Sequence, residues 1–295
     1  MAGGAGMSVR KLTYKVLGWT AHRLRGPLTA GTRVLAYHTV PQPDRYRRQL
    51  EYLRANYTLI DLDRFLAARR GREVLPDDAV LITFDDGDRS VLDHAAPLHR
   101  ELGVPAVLFV VSDLIGTQTP FWWKRVENHF TLQEASYAAA REVVNHLKTV
   151  PNAERVAFVS GLTELSYPQL TREELTVLQD AGFAITNHTA THPLIDRCTL
   201  PELEDELDRA IAFLRDLPGG YPKVFAYPNG NSSPALDAVL REKGIELAFL
   251  FDHDFARPGQ DMLHVSRIRT NTDDRLAEFK SKVGGLHPFL YQLRR

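Results

Sequence analysis

The sequence predicts an α/β fold, a (β/α) barrel of seven or eight parallel strands. Three observations predict it. Short, mostly continuous apolar runs rich in β-branched residues recur down the chain, each bounded by turn residues, as buried strands are. Amphipathic stretches lie between them, so strand and helix alternate, the order of a parallel sheet covered by helices. Seven or eight such units within 295 residues suit one closed barrel, with an open doubly wound sheet as the alternative. No Gly-rich phosphate loop follows any run, which leaves a nucleotide-binding fold little support.

In chain order, strands are expected at 34–37, 57–60, 79–84, 104–111, 183–186, 223–227, 245–251 and 263–268. Helices are expected at 44–56, 88–102, 172–181, 200–217, 234–243 and 273–283. Two of them open on a capping-box pattern, Thr171-x-x-Glu174 and Thr199-x-x-Glu202. Residues 116–168 break the rhythm and read as a helical insertion at a strand end, with a helical pattern over 132–148. Insertions at that end of a barrel often build substrate walls. Trp122 and Trp123 at its head have two readings: stacking on a sugar ring, or capping the insertion's own core.

The first 30 residues read as a separate basic arm ahead of one domain spanning 31–295. The first acidic residue is Asp44, and Arg10, Lys11, Lys15, Arg23, Arg25 and Arg33 precede it. Leu12, Val16 and Trp19 share one helical face. A basic amphipathic helix over 8–25 either lies on an anionic membrane surface as a peripheral contact or packs on the barrel with its basic side in water. No apolar run approaches the ~20 residues of a membrane span, and no signal-peptide core is seen, so the expected location is cytoplasmic.

Composition narrows the classes. Hydrophobic residues make up 44% and charged residues 25%, which excludes a disordered or collagen-like chain. A net charge of −1 without a basic stripe speaks against nucleic acid as a partner. The single Cys198 excludes an internal disulfide and a multi-cysteine zinc cluster.

Three clusters carry chemistry, each at the C-terminal end of an expected strand, where barrel enzymes keep their active sites. Thr83-Phe-Asp-Asp-Gly87 crowds two carboxylates, Asp85 and Asp86. Adjacent carboxylates repel, which raises the pKa of one unless a cation intervenes. Asn187-His-Thr-Ala-Thr-His-Pro193 places His188 and His192 four apart, so one turn or a tight loop can aim both imidazoles at one ion. Phe225-Ala-Tyr-Pro-Asn-Gly230 makes a tight turn that can present a backbone N–H to an oxyanion. Two His and one Asp suit zinc or a similar divalent ion with positions left open for water.

These motifs, in this order, resemble the polysaccharide deacetylase family, the NodB-homology domain of carbohydrate esterase family 4, over about residues 31–285. Leu35-Ala-Tyr-His-Thr-Val40 also resembles the opening of many members. The resemblance implies a distorted (β/α) barrel that removes acetyl groups from sugars with a bound divalent metal. It implies Asp85 as general base and Asp86, His188 and His192 as metal ligands, with Thr189 tying the histidine loop together. It implies an oxyanion hole at Asn229, with Tyr227 beside it on the substrate side. The third motif departs from the family in having Ala226 where many members carry Arg; Arg267 is the candidate to pair with Asp85 in its place. For the family's late Leu-His acid, His264 is preferred over His287.

The resulting expectation is a metal-dependent hydrolase, with one Zn²⁺ (or Co²⁺, Ni²⁺ or Mn²⁺), that removes an N-acetyl or other short acyl group from an amino sugar in a polysaccharide or glycan precursor. The alternatives are a deformylase, a deacetylase of a lipid-linked sugar, and a catalytically silent carbohydrate-binding barrel.

Overall fold

The computed structural model describes residues 31–293. The basic arm, with its expected membrane contact through residues 8–25, lies outside the described residues. Among the described residues no helix is long and apolar enough to cross a membrane.

The elements alternate as expected: β1 (Arg33–Tyr37), α1 (Pro43–Asn56), β2 (Thr58–Leu59), α2 (Leu62–Arg69), β3 (Ala79–Phe84), α3 (Ala96–Leu102) and β4 (Ala106–Val110). Three insertion helices follow: α4 (Trp122–Leu132), α5 (Tyr137–Leu147) and α6 (Asn152–Ser160). Then come α7 (Arg172–Asp180), β5 (Phe183–Asn187), α8 (Leu200–Arg215), β6 (Val224–Ala226), α9 (Pro234–Glu242), β7 (Leu247–Phe249), β8 (Ile268–Arg269), α10 (Leu276–Val283) and α11 (Leu286–Gln292).

Every strand pairing is parallel, in the order β7-β6-β5-β4-β3-β1-β8, with β2 against β3. The two ends of this curled sheet meet through one short segment. Val265 bridges to Phe249 of β7, and Ile268 and Arg269 pair with Leu35 and Ala36 of β1. The expected strand 263–268 is therefore a pinched seam, with only two residues in ladder pairing.

Alternation along each strand sorts the core into two layers. Val34, Leu81, Val107, Phe109, Val224, Leu247, Phe249 and Val265 fill the inside of the curl. Leu35, Val80, Ile82, Phe84, Leu108 and Ile185 face outward against the helices, where Leu50, Leu53 and Phe279 cover them. Both strand faces are buried, which is why the strands read as continuous apolar runs rather than alternating ones.

The helix starts follow their caps. Thr171 and Thr199 form complete capping boxes with Glu174 and Glu202. Helix α2 has no counterpart among the expected elements; its Asp61 N-cap accepts from the Arg64 N–H at 2.8 Å. The expected helix 88–102 begins as one wide turn, Val91–Ala95, in which the Ala96 N–H reaches back to the Val91 carbonyl. Pro97, next in the chain, has no N–H to give Asp93 and crowds its carbonyl, which widens the turn. In the insertion, the pattern over 132–148 becomes α5 alone: Glu134 turns the chain at φ 56° and Ser136 caps the new helix.

One buried group in the outer layer makes stability pH-dependent. His99 is fully buried; its Nδ1–H donates to the Val104 carbonyl at 2.8 Å, so Nε2 accepts from the Tyr46 hydroxyl at 2.7 Å. Burial pushes its pKa down to about 4, against a smaller raising effect of the Val104 hydrogen bond. The neutral ring is the folded form, so stability is intact above the unfolded value of about 6.5 and is lost as pH falls toward 4. The expected loss is on the order of 3 kcal/mol, from the shift at ~1.4 kcal/mol per pH unit. Urea unfolding at pH 7 and pH 4.5 checks it: His99→Gln is expected to show a smaller pH effect than wild type, and an unchanged effect would refute the assignment.

Candidate active site

Strand alternation aims the two main clusters inward. On β3, Leu81 faces the inside of the curl, so Asp85, four residues on, points into the mouth of the barrel. On β5, Ala184 packs on the same inner core, and His188, again four residues on, follows it. Asp85 and His188 are thus placed by the period of two alone. Asp86 follows in a left-handed conformation with φ 74°, which turns its carboxylate toward the histidines.

Asp86 Oδ1 lies 3.3 Å from His188 Nε2 and 3.4 Å from His192 Nε2. One ligand atom from each residue falls within 4.8 Å of the others. Asp86 Oδ1 is buried and has no hydrogen-bond partner. A buried carboxylate oxygen without a donor is costly, and here it faces two imidazole nitrogens, the donor set of a divalent metal site. The residues therefore fit the ion that the motifs call for.

The histidine loop is tied down from several sides. His188 Nδ1 meets the Ala226 carbonyl at 2.8 Å, so Nδ1 carries the proton and Nε2 is left to face Asp86. Thr189 Oγ1 accepts from the His192 N–H at 2.9 Å, and its own N–H goes to Asn187 Oδ1 at 2.7 Å. Trp122 Nε1–H donates to the His192 carbonyl at 3.1 Å. From α8, the buried Glu206 carboxylate accepts from the N–H groups of Ala190 and Thr191 at 2.9 and 2.8 Å, and from the Thr191 hydroxyl at 2.6 Å. These bonds hold Thr189 and His192 at positive φ, 70° and 60°. Such conformations cost about 1–3 kcal/mol each and persist only where surrounding contacts enforce them.

Asp85 sits beside this group, locked by Arg267. Both carboxylate oxygens accept from the guanidinium fork, at 2.7 and 2.8 Å. Arg267 is completely buried; it also donates to Leu250 O and Thr83 Oγ1, and it lies over the Phe109 and Phe249 rings. The seam explains its reach: Arg267 stands between the β7 bridge and β8, at the point where the sheet ends meet across from β3.

The electrostatics separate the roles. Burial disfavours the charged form of Asp85, but the Arg267 cation, His188 and the Arg267 hydrogen bonds outweigh it, so its pKa is lowered. Burial likewise opposes ionisation of Asp86, and the facing imidazoles of His188, His38 and His192 overcome it, leaving Asp86 well below the usual range. Burial pushes His192 down to about 3, so its ring is neutral and ready to ligate.

A cleft of about 210 Å³ opens over these groups. The insertion forms one wall, with Trp122, Trp123, Arg141 and Lys148; the turn Asn229–Gly230 and Phe251 form another. Gly230 has φ 78°, and a Cβ there would stand 2.6 Å from the Phe251 Cβ, so only glycine brings this turn so close. The Trp123 ring lies 4.6 Å from His192, edge-on, and stacks on Phe121 at 4.8 Å. Trp122 packs into the insertion's own core with Val126, Val144 and Leu147. Both tryptophans pack with the insertion's core, Trp122 buried in it and Trp123 against it, and both line the cleft.

The structure does not bring every candidate here. His264 lies outside the cleft, its Nε2 3.4 Å from Asp237 Oδ1 and its ring stacked at 6.3 Å on Tyr227. Tyr227 follows Phe225 on the outward face of β6 and is buried against α8 and α9, with no place in the cleft lining. Alternation is the reason: Val224 and Ala226 take the inner face of β6, and Asp261–His264 is a turn ahead of the seam that carries His264 onto α9. His287 fares no better; its Nδ1 is 2.7 Å from His253 Nε2, away from the cleft. The further imidazole at the cleft, beside those of His188 and His192, is that of His38, one residue beyond β1, with its Nε2 3.9 Å from Asp85 Oδ2 and its side chain 39% exposed. Its place at a strand's C-terminal end was the signal available in the sequence.

Comparison with known proteins agrees with this architecture. A description of the polysaccharide deacetylase family matches residues 72–248. The chain is 24% identical over 241 residues to a poly-beta-1,6-N-acetyl-D-glucosamine N-deacetylase of Escherichia coli (strain K12), covering 80% of this chain and 34% of that protein. It thus spans about a third of the length of that relative. A chitooligosaccharide deacetylase of Bradyrhizobium sp. (strain ANU 289) is 29% identical over 109 residues, 36% of this chain and 48% of that protein. Among solved structures, IcaB from Ammonifex degensii superposes with a TM-score of 0.62 at 22% identity, covering 85% of this chain and 97% of that one. The Streptococcus pyogenes deacetylase PplD superposes with a TM-score of 0.61 at 15% identity, covering 83% and 94%. With the parallel curled sheet and the motif order already in place, the match over residues 72–248 shows that this chain belongs to the polysaccharide deacetylase family.

Proposed function

We propose that the protein is a divalent-metal-dependent deacetylase that removes an N-acetyl group from an amino sugar of a glycan. One observation carries the reading: a buried, unpartnered Asp86 oxygen faces two imidazole nitrogens within reach of an ionised Asp85. The names of the Escherichia coli and Bradyrhizobium relatives support an acetylated amino sugar as substrate.

Asp86, His188 and His192 would hold the ion, and two imidazoles with one carboxylate suit zinc. A bound divalent ion supplies the positive charge that acidifies water and polarises an acyl carbonyl. Asp85 accepts the water's proton; Arg267 keeps it ionised and oriented, and the carboxylate has lone pairs beyond the two that the fork occupies. The backbone N–H at Asn229 stabilises the developing oxyanion. His38, exposed at the cleft and close to Asp85, returns a proton to the leaving amine, the role that the sequence reading gave to His264. Thr189 keeps the histidine loop in its strained form.

Metal analysis of the purified protein tests the reading. Wild type is expected to hold about one equivalent of divalent metal, and a His188→Ala, His192→Ala double variant none. Metal-loaded wild type is expected to release acetate from N-acetylglucosamine oligomers. A wild type that stays metal-free after incubation with Zn²⁺, Co²⁺ and Mn²⁺ would overturn it.

A further inference from the structure

The insertion brings two cations to the cleft, and the charges around them do not cancel. Asp85 is matched by Arg267. Arg141, on α5, reaches Glu127 Oε1 at 3.2 Å, a carboxylate it shares with Lys124 at 3.0 Å. Lys148, at the end of α5, lies in the same cleft wall and has no carboxylate within 4.0 Å among the described residues. Among the described residues it donates to a neutral acceptor, Asn229 Oδ1, at 2.7 Å. With a divalent ion on Asp86 and its histidines, the positive charge exceeds the negative on this side of the cleft.

We propose that the acylated sugar this cleft accepts also carries an anion, a carboxylate or a phosphate ester, which seats on Lys148 with Arg141 beside it while the amide faces Asp86 and its two histidines. This rests on the hydrolase reading of the site. A bound neutral sugar would strip water from Lys148 and return no counter-charge, which is unfavourable for a partly buried ammonium. An anion returns a charge-assisted hydrogen bond, roughly twice as strong as a neutral one. Burial and the neighbouring Arg141 already lower the Lys148 pKa, while Asp86 raises it, so the ammonium lies within the field of the reaction centre. The bond to Asn229 couples it to the turn that lines the opposite wall. Lys148 is therefore a specificity residue, placed by the insertion rather than by the barrel.

The test compares three N-acetyl sugars on the full, metal-loaded chain: neutral di-N-acetylchitobiose, N-acetylglucosamine 1-phosphate and N-acetylmuramic acid. Acetate release gives kcat/KM, and calorimetry on an Asp85→Asn variant gives binding without turnover. One anionic sugar is expected to exceed the neutral one on the order of ten-fold, and high salt is expected to erase the difference. Which of the two wins separates phosphate from carboxylate. Lys148→Gln, in either background, is expected to bring the anionic-to-neutral ratio to about one, and Lys148→Arg to keep it. A structural role for Lys148 would instead lower both classes alike, and that result overturns the proposal, as does a wild type without charge preference. Anion binding that depends on Lys148 without acetate release from any sugar would sink the hydrolase reading and leave this one standing. Acetate release indifferent to charge would do the reverse.

Discussion

Asp85→Asn is expected to slow acetate release on the order of 10²- to 10⁴-fold, the range for removing a general base, with about one equivalent of metal retained. Asp85 is not one of the three residues whose ligand atoms cluster within 4.8 Å. Asparagine keeps the size of the side chain and one acceptor for the Arg267 fork, so the histidine loop, held by Thr189 and Glu206, has no reason to move. What asparagine lacks is the carboxylate that takes up a proton. Acetate release and metal content measured on the same preparation decide the matter. Full activity in the variant would remove Asp85 from the chemistry, and loss of the metal would show that the carboxylate serves the ion instead.

The second large effect is expected from Arg267→Met. The substitution replaces a completely buried guanidinium with an apolar side chain that Phe109 and Phe249 can accommodate, but it strands the Asp85 carboxylate, itself 4% exposed. Breaking a buried pair from one side costs about 3–5 kcal/mol, because the remaining charge is uncompensated. The pH dependence has a definite sign. In wild type the folded pKa of Asp85 is depressed, so its contribution to stability is present above the unfolded value of about 3.9 and lost as pH falls through the folded value. Without Arg267, burial dominates and the folded pKa rises, so the penalty grows as pH climbs above about 4. Urea unfolding of both proteins at pH 4 and pH 7 reads this directly. The gap between them is expected to be wider at pH 7, and the acid limb of any remaining activity is expected to move to higher pH. A gap that does not change with pH would mean that Arg267 acts by packing alone.

The main chemistry was legible because local rules place it. The strands read as buried runs, and the period of two carries Asp85 and His188 to the inner mouth of the barrel. The spacing of His188 and His192 and the Asp-Asp-Gly turn could be read from the residues themselves, and so could the helix starts at Thr171 and Thr199. Other parts of the site depend on contacts between elements far apart in the chain. Glu206 reaches the histidine loop from α8, and Lys148 meets Asn229 from the insertion across 81 positions. No motif marks either. His264 lies away from the cleft because residues 263–268, which read as a regular strand, form a seam with a bridge at Val265 and two paired residues.

By itself, then, the sequence determined the alternation of strands and helices, the parallel sheet, and the residues at two strand ends that face one ion-sized space. Those follow from apolar periodicity and side-chain direction, which are local. Only the tertiary structure decided how Arg267 reaches Asp85, which further imidazole stands beside that carboxylate, and what charge the insertion brings to the cleft. Ring closure is the physical reason. Where the two edges of the sheet meet, the register of the seam sets Arg267 against Asp85 across 182 positions and turns His264 away, and no short stretch of sequence encodes that register.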